Sequence, residues 1–410
     1  MFLKSITVNS RELLPQIHSQ ERKLNVIAGD VSLPLLILKD TALENNLASM
    51  AAWSREYGMH LAPHGKTTMC PEIFKRQLAH GAWGMTFASV SQISAGLEAG
   101  FKQILIANQV TGRANLRALA AAINTHSDVE FYSFIDSTKG AELLARSLRE
   151  FGAVRPINVF LEWGFKGGRT GVRSIETGRE VINVAAAYGE SLKLCGFAGF
   201  EGIAHSASAV DEFHKGLEIL SQSLSEWVGR ERPIISFGGS AYLDRICCFA
   251  LSVKNRADVV IRSGCYATHD HGQYQRMSAS AAERQPSNLK LPQFTPALEL
   301  WCAVQSVPEE GLALLNFGKR DAAYDLDLPL PLFTLCEGDS PTEAKQLRRS
   351  KIFKLNDQHA YLEFERDESL VVGDLVACGI SHPCTAFDKW RVIPLVDDEY
   401  NVIDLYHTLF

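Results

Sequence analysis

The stretch HLAPHGKTTMCPEIFKRQLAHGAWGMTFA, residues 60–88, contains the unit whose repetition decides the fold. A short apolar run, HLAP at 60–63, leads into a lysine-bearing turn. PEIFKRQLAHG then has helical spacing, with Pro71 placed to start the helix, and GMTFA at 84–88 is a second apolar run. The same rhythm continues through QILIA (103–107), VEFYSFI (129–135), INVFLEW (157–163), LCGFAGF (194–200), PIISF (233–237) and DVVIR (258–262). Helix-like stretches such as STKGAELLARSLREFG and SASAVDEFHKGLEILSQSLSEWVG separate them. Strict strand–helix alternation implies a parallel sheet. Eight such units fit a closed (β/α)8 TIM barrel better than a doubly wound open sheet.

After about residue 290 the texture changes. ALELWCAVQSV, GLALLNFG, IFKLNDQHAYLEFE, LVVGDLVACGI and KWRVIPLVDDEYNVIDLYHTLF alternate apolar and polar residues between turn residues. That pattern predicts an antiparallel β domain. The first residues do not fit the barrel rhythm. The expected organisation is therefore a barrel over 30–290 and a β domain made of 1–29 plus 291–410.

The chain has 410 residues, of which 46% are hydrophobic and 21% charged, enough to bury a large core. A net charge of −6 gives no electrostatic reason to expect nucleic acid or an anionic membrane as a partner. No apolar run reaches signal-peptide or membrane-helix length. The nine cysteines are an odd number scattered along the chain, which fits no disulfide framework and suggests a reduced, cytoplasmic protein.

Candidate chemistry collects at the predicted C-terminal ends of the barrel strands. Lys66 follows the first. GKT invites a P-loop reading, but His60 stands where that motif needs its first glycine. A lysine amine in a partly desolvated barrel mouth can instead form a Schiff base, although most loop lysines are merely solvated. SFGGS (236–240) and RSGCYATHDHG (262–272) follow strands seven and eight, where barrels commonly bind phosphate. EWGFKGGRTGVRS (162–174) brings Arg169 and Arg173 to the rim, and GFEGIAH (199–205) brings Glu201 and His205. Arginine there can hold a phenolate or carboxylate, and histidine can act as a general base. In the C-terminal domain, SHPCTAFDKW (381–390) carries His382 and Cys384, an imidazole–thiolate pair suited to zinc with coordination positions left open.

Taken together, PHGKT with CPE, QLAHGAWGMTFASV, GGRTGV, FGGS and HPCTAFDKWRVIPLVDD resemble the D-serine dehydratase and D-threonine aldolase family. These are fold-type III pyridoxal-phosphate enzymes with an alanine racemase-like barrel. The resemblance runs from about residue 30 to the end. It implies that Lys66 carries pyridoxal 5'-phosphate and that Arg169 contacts it. Gly238, Gly239, Ser240, Gly264 and Cys265 would surround the phosphate, with Tyr266 adjacent. His382 and Cys384 fall on the family's divalent-metal site. His-x-Cys favours Zn2+ and β-elimination; D-threonine aldolases typically carry His-x-Asp. The implied activity is dehydration of a β-hydroxy D-amino acid to a 2-oxo acid and ammonia, with Lys66 and His205 as candidate bases. Alternatives are a metal-dependent D-threonine aldolase, an amino acid racemase and a non-catalytic cofactor-binding protein. A homodimer is the expected assembly by resemblance. Trp163 and Phe165 depart from the family pattern before the glycines, and Arg262 resembles the racemase arginine that meets the pyridine nitrogen.

Overall fold

Eight short strands form one parallel sheet: β2 (Met59–Leu61), β3 (Met85–Phe87), β4 (Gln103–Ile106), β5 (Glu130–Ile135), β6 (Ile157–Trp163), β7 (Leu192–Gly199), β8 (Ile234–Phe237) and β9 (Asp258–Ile261), with β1 (Leu35–Lys39) lying elsewhere. This computed structural model describes residues 24–410. The strand order is β2-β9-β8-β7-β6-β5-β4-β3, and Thr86 N donates to Pro63 O (2.8 Å) across the remaining seam. The sheet therefore closes into the expected barrel, and each strand lies on the apolar run that predicted it.

Local chemistry explains the intervening helices. Pro71 occupies the first turn of helix Pro71–Ala79, where no backbone N–H is required. Ser137, Ser174 and Ser206 cap three others, their hydroxyls accepting from Gly140 N, Thr177 N and Ala209 N. Helix Thr138–Glu150 buries Ala141, Leu144, Ala145 and Leu148, one face at helical spacing.

Inside the barrel, alternation along the strands sorts the side chains. Tyr132 and Phe134 point inward, while Phe131 and Ile135 join the outer core between sheet and helices. Phe160 is stacked on Tyr132 at 5.7 Å between ring centroids and meets Phe134 edge-on at 6.0 Å. This aromatic plug fills the barrel, and Phe134 forms part of the floor of the cavity above it.

The second sheet is mainly antiparallel and includes Leu298–Glu309, Leu330–Leu335, Leu375–Gly379, Val392–Val396 and Val402–His407. β1 joins this sheet, antiparallel to Leu298–Glu309 and parallel to Val392–Val396. The N-terminal contribution to the β domain thus extends past residue 30, into the range assigned to the barrel. LLILK is almost wholly buried, and its apolar pattern alone does not specify which sheet takes it. Asn25 bridges to Asn401, while residues 1–23, also assigned to this domain, lie outside the described residues. The β domain lies over the C-terminal mouth of the barrel. His271 N donates to Ile380 O (2.9 Å) and Leu409 N to Met69 O (2.8 Å).

Candidate active site

β2 ends three residues before His64, and the chain tightens into a 3-10 turn, Gly65–Thr67. The turn projects Lys66 into a cavity of about 250 Å3 at the barrel mouth. Gly264, after β9, packs against this turn so closely that a Cβ would lie 2.3 Å from His64 O. Arg169, Gly238, Ser240, Gly264, Cys265, His382 and Cys384 also line the cavity. Residues that follow β6, β8 and β9 and residues of the β domain therefore meet Lys66 in one space.

Three predicted site residues sit differently. His205 is exposed and is not among the cavity-lining residues, so the geometry gives it no place as the base. Tyr266 is buried beside the cavity, its hydroxyl accepting from Gln77 Nε2 (3.3 Å). It lines a small adjoining void with Gly239. The N–H groups of Gly238 and Gly239 donate to the fully buried carboxylate of Glu201, at 3.1 and 2.6 Å. These two donors are engaged by a protein anion, so Gly238 lines the cavity beside Ser240, Gly264 and Cys265 without a free N–H to offer a ligand.

Arg173 is not a ligand-facing arginine. Its guanidinium donates to Thr170 O (2.7 Å), Gly168 O (3.3 Å), Arg169 O (3.1 Å) and Gly171 O. One planar fork thus clamps the turn that presents Arg169. Arg169 itself lies over the Phe200 ring, 4.4 Å from its centroid.

Glu162 and His64 were not singled out by reading the sequence, and Arg262 was noted there only for its resemblance to the racemase arginine. Glu162, the sixth residue of β6, is buried in the cavity wall and accepts from Gln109 Nε2 (2.6 Å). Burial pushes its carboxyl above the ordinary value. The signal was present: β6 reads INVFLEW, and an ionisable acid in a mostly apolar, buried strand is costly unless paired or used. Arg262 is buried, donating to Ser236 Oγ and Gly199 O at 2.7 Å each. Burial lowers its pKa to about 10, opposed by Glu201 and Glu162, so it stays charged at neutral pH. The Nδ1 of His64 is buried without a hydrogen-bond partner. Burial, then Lys66, Arg262 and Arg169, hold this ring well below its ordinary pKa, so it is neutral.

These groups fit an anionic cofactor. Three cations, Lys66, Arg169 and Arg262, converge on the cavity, and an orphaned imidazole nitrogen faces the same region. The amine of Lys66 is the group able to hold an aldehyde cofactor covalently.

In the same cavity, Cys384 Sγ lies 3.3 Å from Cys265 Sγ and 3.3 Å from Thr67 Oγ1. The Cys265 thiol holds the Cys384 thiol well below its ordinary pKa; burial opposes this, and His382 adds a hydrogen bond and its charge. His382 is pushed up to about 9, chiefly by Cys384. Each thus favours the charged form of the other; deprotonated sulfur is the form that binds metal, and the imidazole ligates only once Nε2 has given up its proton. Among the described residues no group of three or more His, Cys, Asp or Glu forms a metal cage. Two soft donors with open positions fit a substrate-accessible zinc-type ion.

A closed parallel barrel with an antiparallel β domain over its lysine-bearing mouth is the alanine racemase-like architecture. Residues 297–396 match the family model described as "Putative serine dehydratase domain". D-threonine aldolase of an Arthrobacter species is 33% identical over 142 residues, 35% of this chain and 36% of that protein. The 3-hydroxy-D-aspartate aldolase of Paracoccus denitrificans is 24% identical over 373 residues, 89% of each chain. The solved D-threonine aldolase from Filomicrobium marinum superposes with a TM-score of 0.74, at 23% identity over 94% of this chain and 97% of that one. The solved D-threo-3-hydroxyaspartate dehydratase from a Delftia species gives 0.69, at 16% identity over 92% and 97%. The resemblance read from the sequence is borne out: the chain is a relative of the D-serine dehydratase and D-threonine aldolase proteins.

Proposed function

We propose that the protein is a pyridoxal-phosphate- and divalent-metal-dependent lyase of β-hydroxy D-amino acids, releasing ammonia and a 2-oxo acid. The observation that carries this reading is the placement of Lys66 and the His382–Cys384 pair on one cavity. The relatives bear the names of aldolases and dehydratases, both lyases.

Bound in the cavity, the cofactor supplies an electron sink for charge developing at the substrate Cα. A metal on His382 and Cys384 supplies Lewis-acid polarisation of the substrate's β-hydroxyl. The chain's own residues do the rest. Lys66 holds the cofactor and, once its amine is free, moves the α-proton. Arg169 and Arg262 keep the cavity positive for an anionic ligand. Phe134 and the aromatic plug beneath it exclude water from the floor.

Zn2+ is the metal that the thiolate of Cys384 favours over harder ions. Retro-aldol cleavage to glycine and an aldehyde is the second reading, favoured by the Paracoccus relative that aligns over most of both chains. Product analysis with D-serine and D-threonine separates the two. Pyruvate or 2-oxobutyrate with ammonia supports the lyase of the first kind; glycine with acetaldehyde from D-threonine supports the second. Neither set of products from cofactor- and zinc-loaded protein overturns both.

A further inference from the structure

We propose that Asp325 is a positioning residue for the metal pair, acting through His382. The proposal rests on the reading that His382 and Cys384 hold a metal. Asp325 belongs to neither segment that the sequence reading assigned to the site. It sits in the loop between strands Leu312–Leu315 and Leu330–Leu335. One of its carboxylate oxygens lies 2.6 Å from His382 Nδ1. The other accepts from Thr385 Oγ1 at 2.7 Å. A single carboxylate therefore spans the turn 382–385 that carries Cys384.

The turn needs such restraint. His382 has φ 80° and ψ 93°, a left-handed backbone that a residue with a Cβ adopts only when its surroundings impose it. Its N–H donates to Asp270 Oδ2 (2.9 Å), and the preceding Ser381 Oγ donates to Asp327 Oδ2 (2.7 Å). These bonds fix the backbone of the turn. They do not fix the ring, which can still rotate about its side-chain torsions. The bond to Asp325 does. With Nδ1–H donated to the carboxylate, Nε2 is the nitrogen left with a lone pair. The ring plane is then set before any metal arrives. Metal-binding histidines depend on such outer partners, whose loss commonly weakens metal binding by about 10–100-fold.

The test measures zinc affinity of the cofactor-loaded protein by competition with a chromophoric chelator. Co2+ substitution provides a second readout, the thiolate-to-metal charge-transfer band reporting Cys384. Asp325→Ala is expected to weaken zinc binding by about 10–100-fold. Asp325→Asn, which retains a neutral acceptor for Nδ1–H, is expected to fall between it and the wild type. Thr385→Val, which removes only the other bond, is expected to bind zinc within about threefold of the wild type. Cofactor absorbance should be the same in all four proteins. Zinc affinity of Asp325→Ala within about twofold of the wild type overturns the proposal, as does an equal loss in Thr385→Val, which would assign Asp325 to holding the turn alone. Wild-type protein that binds neither zinc nor Co2+ overturns the metal reading itself, a result distinct from the first two.

Discussion

Cys265 and Cys384, from opposite domains, place their sulfurs 3.3 Å apart at the mouth of the barrel. The two thiols are not equivalent. The neighbouring Cys384 sulfur, and after it burial, push Cys265 well above its ordinary pKa, while Cys384 is held well below it. In metal-free protein, iodoacetamide at neutral pH is therefore expected to alkylate Cys384 ahead of Cys265 and of the buried Cys70, Cys195 and Cys302. Zinc should protect Cys384. Peptide mapping by mass spectrometry checks both statements, and unprotected alkylation in saturating zinc would remove Cys384 from the metal site.

Borohydride reduction of cofactor-loaded protein is expected to leave the label on Lys66. Lys66→Ala should retain the fold, lose the covalent label and lower turnover by at least about 10²–10⁴-fold, the usual contribution of a positioned acid–base group. Label on any other lysine would refute the assignment.

Arg173→Lys is expected to act on Arg169 without touching ligand. An ammonium cannot reach the four carbonyls that the guanidinium clamps. Small misplacements in such sites can cost up to about 10²-fold in rate. Weaker cofactor retention in dialysis, with an unchanged denaturation midpoint, is the expected signature.

Phe160→Ala removes the centre of the aromatic plug. Phe160 is fully buried, and truncations of this kind cost about 3–5 kcal/mol. A lower urea midpoint for the barrel is expected, with the β domain's chemistry at Cys384 unaltered.

The C-terminal strand docks on the barrel partly through His407 Nδ1 and Glu72 Oε1, 3.3 Å apart. Glu72 raises His407, so that contribution is complete below the ordinary histidine value of 6.5 and is lost as pH rises through the raised one. Burial pushes Glu72 up, but its hydrogen bonds, led by that from His407, hold it lower. Its contribution is present above 4.5 and is lost as pH falls through the lowered value. The pair therefore stabilises most in mildly acidic solution. His407 is substantially exposed, so the effect is small. Denaturation midpoints of wild type and Glu72→Gln should converge at alkaline pH; a constant gap would contradict the pairing.

Barrel strands and their helices were legible because each is specified locally. An apolar run of strand length, a serine cap and a helical apolar face need no distant partner to be recognised. Lys66, Arg169 and the His382–Cys384 pair were legible because their types are rare in such positions and sit beside strand ends or turns. His205 was misjudged because sequence places a residue after a strand but does not say whether its side chain turns inward or out to solvent. Arg173 looked like Arg169 because both are arginines in one glycine-rich turn; only the carbonyls around it show that it binds the turn. Glu201 looked like a rim residue, yet its carboxylate satisfies the glycine N–H groups expected to face phosphate.

Sequence alone determined the alternation of strands and helices, the change to a β domain after the barrel, and the residue types able to hold a cofactor and a metal. These follow from local periodicity and from side-chain chemistry. Tertiary structure alone decided that β1 crosses to the second sheet, that Cys265 meets Cys384, and that Asp325 reaches His382 from another loop. Each of these joins residues far apart in the chain, and nothing in a local window encodes which distant surface will close over it.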